Sequence, residues 1–398
     1  MLISFSQILL EFAAFSLILA TMAFAVQAVA ALLLSDRPLP VASLRPSIGV
    51  LIPAHDEEQN IEATLSQIKE ELSPADRLLV VADNCSDQTA ALAARAGADI
   101  VIRNDPNLRG KGFALAAGLR HLAATPPDVV VFVDADCRVS SGDVGLLARA
   151  CATANAPVQC LNLMVAKPDC RAPPRLAEFA WRIKNDLRPN GYARIGLPCH
   201  LLGTGMALPW RLVDPQMFAT GHLSEDILLG LELAMKGFPP RFFREASVTS
   251  YFPNTQAGQD QQKQRWVHGH FALINSHVPR LIYQGLRRRQ LGLLTLAADL
   301  AVPPLGVLAA ANITLLLMSL TWMFAVGAYA PLAFATVASA LFASSLVAAW
   351  CVCGRDLIGL EEVKKLPRHI IMVMIMVMGS ALNLARGHKV PWVRADRL

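Results

Sequence analysis

Asp134 and Asp136 stand one residue apart at the end of Val129-Val130-Val131-Phe132-Val133, an unbroken apolar run. In an extended chain, residues i and i+2 point to the same side. Both carboxylates could therefore converge on one hard divalent cation, which takes oxygen ligands. A Mg2+ or Mn2+ ion held this way commonly shares its coordination with substrate phosphates. In isolation the same two acids would read as a solvated turn after a strand, so the surrounding residues decide.

Further polar clusters follow the same habit. His55-Asp56-Glu57-Glu58 comes after the apolar residues 48–53, and Asp83-Asn84 after residues 78–81. Arg109-Gly110-Lys111-Gly112 opens a segment with helical spacing through Leu119. Later, Gly203-Thr204-Gly205 lies between apolar residues, and Ser224-Glu225-Asp226 precedes an apolar helix that ends at Gly237. Gln262 and Arg265, three apart, share a face of a polar helical segment that carries Trp266. Taken singly, the glycine pair is an ordinary turn. Ser224 is an N-cap with Glu225 and Asp226 as first-turn charges, and Trp266 is an aromatic at a lipid interface.

These clusters need a frame. Residues 48–53, 78–81, 100–102 and 129–133 read as strands. Between them the apolar spacing predicts helices over 61–72, stopped by Pro74, over 89–96, stopped by Gly97, and from Arg109 onward. That alternation predicts an α/β fold with a doubly wound, mostly parallel sheet. Parallel strands bring their polar carboxyl ends to one edge, where a nucleotide would lie. Neither a Gly-x-Gly-x-x-Gly nor a Gly-x-x-x-x-Gly-Lys-Ser/Thr loop follows the first strand, which argues against a dinucleotide fold and a P-loop ATPase.

The 398-residue chain is 54% hydrophobic and 17% charged, and the apolar excess collects at its two ends. No charged residue occurs in 12–35, 300–354 or 370–385. The first run is long enough to cross a bilayer and the second has room for two crossings joined at 327–331; the third crosses or lies in the interface. The absence of a basic segment before Glu11 favours an uncleaved anchor over a signal peptide. Arg37, Arg45, Arg287, Arg288, Arg289, Arg355, Lys364, Lys365 and Arg368 flank these runs, while the 327–331 loop has no charge. The positive-inside rule then places residues 36–290 in the cytoplasm. The expected organisation is an anchor over 1–35, a cytoplasmic catalytic domain over 36–285, and a membrane region over 286–398 with two or three helices. The side on which Arg394 and Arg397 lie depends on whether 370–385 spans. A net charge of +5 is accounted for by these flanking residues. No basic stripe interleaved with aromatics marks a nucleic-acid partner. The eight cysteines are scattered, and a cytoplasmic setting makes them small core residues.

In this order the clusters resemble the membrane-bound inverting glycosyltransferases of family 2, the group that holds cellulose, hyaluronan and ceramide-glucose synthases. The resemblance covers roughly residues 48–266. It implies a Rossmann-like, glycosyltransferase A-type domain with flanking transmembrane helices. It also implies a nucleoside diphosphate sugar donor, uridine by family default, and a lipid or glycan acceptor at the membrane. Pro53-Ala54-His55-Asp56-Glu57 is similar to the family's Pro-Ala-x-Asn-Glu, with Asp56 where Asn is usual. Asp83 matches the acid that reads the donor base, and Lys111 a Gly-Lys-Gly near the donor. Asp134 and Asp136 match the metal-binding Asp-x-Asp. Glu225 and Asp226 match the motif that supplies the base, Asp226 being the candidate. Gln262, Arg265 and Trp266 match Gln-x-x-Arg-Trp. In that scheme a cation on Asp136 and Asp134 neutralises the diphosphate, Arg265 adds a cationic fork, and Trp266 forms an apolar platform for the acceptor. The small number of membrane runs and the lack of a gating-loop motif favour one transfer to a membrane lipid over processive polysaccharide synthesis. A nucleotidyltransferase gives no reason for the later clusters. An inactive nucleotide-binding scaffold gives none for keeping Asp134, Asp136, Asp226 and Arg265.

Overall fold

A computed structural model describes residues 2–385 except 168, 169, 171–173 and 254; Arg394 and Arg397 lie outside the described residues. Elements are numbered along the chain. Helix α1 (Leu2–Leu33) is followed by β1 (Ile48–Ala54), α2 (Ile61–Lys69), β2 (Arg77–Asp83), α3 (Thr89–Arg95), β3 (Asp99–Arg103), α4 (Lys111–Leu122) and β4 (Val129–Phe132). Then come β5 (Arg138–Val139), α5 (Asp143–Ala154) and β6 (Val158–Val165). Helix α6 (Arg175–Arg182) passes through a π-helical turn (Ile183–Leu187) into α7 (Arg188–Arg194). Strand β7 (Met206–Pro209), α8 (Pro215–Phe218), α9 (Glu225–Met235) and β8 (Arg241–Tyr251) precede the closing helices. These are α10 (Gln256–Arg288), α11 (Leu291–Ala301), α12 (Leu305–Val326), α13 (Ala330–Cys353) and α14 (Leu360–Ala385).

The described residues pack as two compact units: one within 36–173 and 196–259, the other within 1–35, 174–195 and 260–385. The first unit holds one eight-stranded sheet of order β3-β2-β1-β4-β7-β6-β8-β5. Strands β1 to β4 are mutually parallel, as the alternating pattern predicts. Beyond β4 the sheet is mixed, with β7 antiparallel to both β4 and β6, β8 parallel to β6, and β5 antiparallel to β8. The expectation of a mostly parallel sheet therefore holds for half of it. All four residues of β4 are buried. Val129 and Val131 face α2 and α5 through Ile61, Leu65, Val144 and Leu147. Val130 and Phe132 face α4 through Leu115 and Leu119. Burial on both faces is why this strand reads as a continuous apolar run.

Strand β8 escaped the sequence reading for a local reason. Its pairing with β6 runs to Phe243↔Cys160 and resumes at Ser247↔Leu161. The chain between bulges out of register, so the exposed Arg244 and Glu245 interrupt what would otherwise alternate.

In the second unit, α1 packs along α13 on small residues: Ala14, Ala28 and Ala31 against Ala335, Ala338 and Ala349. Small side chains let two helix backbones approach closely. Among the described residues, three helices are long and apolar enough to cross a membrane, over Phe5–Leu33, Leu305–Val326 and Ala330–Cys353. The run at 370–385 belongs to α14, which starts earlier, at Leu360, and carries Glu361 and Glu362 in its first turn. One polar knot ties this unit together. Gln27 Nε2 donates to Asp299 Oδ1 at 2.5 Å, Arg188 Nε donates to Gln27 Oε1 at 3.1 Å, and Arg188 Nη2 lies 2.5 Å from Asp299 Oδ1. Gln27 is fully buried and Asp299 is 8% exposed. Losing one member of a buried ion pair costs about 3–5 kcal/mol, because the other charge stays behind without compensation.

Candidate active site

Past β4 the chain leaves the strand, and Ala135 and Asp136 form a turn. Convergence of the two acids therefore comes from this turn rather than from the strand pleat the sequence suggested. Ligand atoms of Asp134, Asp136 and Cys137 all lie within 4.8 Å of one another. The turn is held from α2, where the buried Thr64 hydroxyl sits 2.8 Å from the Ala135 carbonyl and 2.9 Å from that of Cys137. On the other side, the Asp134 N–H donates to Thr204 Oγ1 at 3.1 Å. Burial, reinforced by the Asp134 charge, pushes the Cys137 thiol up to about 12. It stays protonated at neutral pH.

Lys111, the first residue of α4, reaches across to this turn. Its Nζ lies 2.5 Å from Asp134 Oδ1 and donates to the Gly203 carbonyl at 2.9 Å. Burial alone would lower its pKa, but the carboxylates of Asp134 and Glu225 outweigh burial and raise it. Lys111 is therefore a fixed positive charge.

Gly203 and Gly205 are not an incidental turn. Both have positive φ, +83° and +61°. A Cβ on Gly203 would stand 3.0 Å from Asp226 Oδ2 and 3.3 Å from Lys111 Nζ, and one on Gly205 would stand 2.3 Å from Cys160 Sγ. Backbone conformation and close approach both require glycine here. Gln159, fully buried on β6, fixes the loop. Its Nε2 donates to the Thr204 and Gly205 carbonyls at 2.9 and 3.1 Å, and its Oε1 accepts the Leu202 N–H at 2.8 Å.

Glu225 and Asp226 begin α9. Ser224 occupies the N-cap position but makes no side-chain cap hydrogen bond, so the expected cap is not formed. Instead Asp226 Oδ1 accepts the Ile227 N–H at 2.8 Å, and Oδ2 approaches the Gly203 loop. His222 Nδ1 accepts the Ser224 N–H at 3.1 Å. Burial holds its pKa down despite the Asp226 charge, so the ring is neutral near neutral pH.

Partial burial, and then the neighbouring Asp226 charge, push the Glu225 carboxyl up from 4.5 to about 7, with Lys111 pulling the other way. A native pKa above the unfolded one means that the folded state binds the extra proton. This contribution to stability is complete below about 4.5 and is lost as pH rises through 7. Glu225→Gln should flatten the loss. In metal-free, chelator-treated protein its apparent Tm should fall less than that of the parent between about pH 5 and about pH 8. Parallel Tm curves for the two proteins would remove Glu225 from this role.

Asp56 and Asp83 end the neighbouring strands β1 and β2. Asp56 has φ +52°, a left-handed conformation that Asn and Asp tolerate better than most residues, so Asp substitutes for Asn at little backbone cost. Its Oδ1 accepts the Ser86 N–H at 2.7 Å. Asp83 Oδ1 lies 2.5 Å from Arg103 Nη1, and its backbone carbonyl lies 2.7 Å from His55 Nδ1.

Gln262, Arg265 and Trp266 lie on α10, in the helical unit. Gln262 is 2% exposed, and its Nε2 finds no hydrogen-bond partner among the described residues. Trp266 packs on Trp181, with ring centroids 4.9 Å apart. The sheet unit thus brings together Lys111, Asp134, Asp136, Glu225 and Asp226, with Asp56 and Asp83 at adjacent strand ends. Sequence reading missed the supports Thr64, Gln159 and His222, lone polar residues with no spacing to mark them, and saw Thr204 only as part of the glycine pair.

A mixed α/β sheet with carboxylates and a lysine gathered at its strand ends defines a sugar-nucleotide transferase fold of the glycosyltransferase A type. Residues 46–269 match the family described as glycosyltransferase like family 2, and the chain belongs to that family and is a transferase. Over 99 residues, 25% of this chain and 40% of the relative, it is 40% identical to an uncharacterized glycosyltransferase of Mycobacterium tuberculosis. Over 104 residues it is 36% identical to glucosyl-3-phosphoglycerate synthase of the same organism, a match that covers 25% of this chain and 31% of that protein. The chain thus spans well under half the length of these curated relatives. The mannosyltransferase PcManGT from Pyrobaculum calidifontis, solved with GDP-Man and Mn2+, superimposes with a TM-score of 0.54 at 18% identity, over 86% of this chain and 99% of that one. That likeness extends to the fold.

Proposed function

We propose that this protein is an inverting glycosyltransferase that moves a sugar from a nucleoside diphosphate sugar to an acceptor at a membrane, with Asp226 as base. The observation that carries the reading is the meeting of two charge systems on the Gly203 loop. Lys111 and Asp134 approach it from the strand ends and Asp226 from α9. A cation–carboxylate pair suited to phosphate and a carboxylate suited to proton removal border the same loop, which supports the reading.

Two carboxylates on one turn fit a hard divalent cation; the neighbouring protonated thiol does not add to such a site. Asp136 and Asp134 would hold Mg2+ or Mn2+, which supplies charge neutralisation for the diphosphate leaving group. The Lys111 ammonium already sits on Asp134, so it is placed to turn from that carboxylate to a donor phosphate. A hydroxyl acceptor is a poor nucleophile at neutral pH, and Asp226 removes its proton during attack. One displacement with one base inverts the anomeric centre, so an α-linked donor gives a β-linked product. Arg265, Gln262 and Trp266, on α10 of the helical unit, are the further donor and acceptor groups that the family resemblance implies. Asp56 and Asp83 hold the nucleoside end, with uridine as the first donor to try.

The membrane setting is supported by the three long apolar helices and by exposed apolar side chains on them, such as Phe12 (70% exposed) and Phe324 (79% exposed). The flanking arginines support a cytoplasmic sheet unit by the positive-inside rule. A detergent-purified preparation with Mn2+ should release nucleoside diphosphate from one member of a donor panel. Release should rise with a total membrane lipid extract and stop with chelator. Hydrolysis that ignores lipid would remove the membrane acceptor, and intact nucleotide binding with no release under any condition would leave a scaffold.

A further inference from the structure

Trp266 was read as the acceptor platform, yet an indole on a helix face has two χ torsions and no fixed pose of its own. In this structure its ring packs on Trp181, with centroids 4.9 Å apart and planes at 41°. Trp181 is itself held from several directions. Lys184 Nζ lies over its ring, 5.8 Å from the centroid. Two residues before it, Phe179 is buried at 6% exposure. Next to it, Arg182 Nη1 grips Asp356 at 2.8 and 2.9 Å while Nη2 donates to Glu178 Oε1 at 3.0 Å. Beyond the π-helical turn, Arg188 fastens the segment to Gln27 and Asp299. The helix that bears Trp181 is therefore pinned on both sides of the tryptophan.

We infer that Trp181 is a positioning residue that fixes the pose of Trp266 and so sets acceptor affinity. This rests on the reading of Trp266 as acceptor platform. Neither the Gln-x-x-Arg-Trp resemblance nor the metal site calls for an aromatic at position 181. Its role follows from the contact and from the fastening of α6. Tilted and offset aromatic pairs contribute enough beyond area burial to change an equilibrium by about two- to tenfold. The loss of that contribution should appear in acceptor binding, because Trp181 is not among the groups that hold the diphosphate or take the proton.

The test uses the full chain in detergent, with the donor that supports release and a total membrane lipid extract as acceptor. Trp181→Leu keeps an apolar side chain but removes the stack, and Trp181→Phe restores an aromatic partner. Trp181→Leu should raise the apparent acceptor KM by about two- to tenfold, with kcat and donor KM within about twofold of the parent, and Trp181→Phe should recover most of the loss. An unchanged acceptor KM, or a fall in kcat and donor KM together, overturns the inference. Trp266→Ala is the control. If it leaves acceptor KM alone, the platform reading itself fails; if it raises KM while Trp181→Leu does not, only the positioning role fails. A readout free of activity is the exciton circular dichroism of a close indole pair. It should be present in the parent and lost in both Trp181 variants, and its absence from the parent also overturns the inference.

Discussion

Asp226→Asn should leave donor binding intact and abolish transfer. The substitution keeps the size of the side chain and an acceptor oxygen for the Ile227 N–H, now 2.8 Å from Asp226 Oδ1, so the start of α9 should survive. It removes the one property the proposed reaction asks of the group, the capacity to take a proton from the acceptor hydroxyl. General bases contribute about 10²- to 10⁴-fold in rate, so kcat should fall by that factor while nucleotide affinity measured by calorimetry moves by less than about twofold. Near-normal turnover would transfer the base role elsewhere. Glu225 would then be the neighbour to examine, since its raised pKa already marks a carboxyl that takes a proton near neutral pH.

The second large effect belongs to Asp136. Lys111 already engages the Asp134 carboxylate, so a cation arriving at the turn competes with an ammonium there, and Asp136 is the second carboxylate the turn offers. Asp136→Ala should therefore remove most Mn2+ affinity. Removing mere outer partners of a metal ligand costs about 10- to 100-fold, so loss of the ligand itself should reach at least about 100-fold. The measurement is Mn2+ binding by magnetic resonance of the free ion, with uridine diphosphate present and absent. Because this readout needs no turnover, it separates a lost cation from a lost reaction. Unchanged Mn2+ affinity would take Asp136 out of the site.

Much of the sheet unit was legible because its physics is repetitive. Val129 to Phe132 is buried on both faces and so is apolar throughout, and acids at the ends of β1, β2 and β4 fall where parallel strands must place them. What lay hidden was set by single contacts. Thr64, Gln159 and Thr204 each act through one or two hydrogen bonds to a loop, which no periodicity reveals. Strand β8 was masked by its bulge. Helix α7 contains Pro189 and Gly191, two residues disfavoured in helix interiors. The chain carries Pro189 because a π-helical turn immediately precedes it, and the wider turn relieves the clash of the proline ring with the carbonyl four residues earlier. Ser224 shows the opposite error: a residue with favoured cap chemistry that makes no side-chain cap bond.

The Gln27–Arg188–Asp299 knot also bears on how the chain is born. Gln27 leaves the ribosome with the anchor, Arg188 follows 161 residues later and Asp299 272 residues later. At about 5–20 residues per second, Asp299 arrives roughly a quarter of a minute to a minute after Gln27. In the proposed membrane setting the anchor is threaded into lipid long before its amide has a partner. Arg188 then reaches it as a charge awaiting neutralisation. A nascent chain that stops short of α11 lacks the carboxylate that compensates Arg188, so the knot closes only after Asp299 has been made.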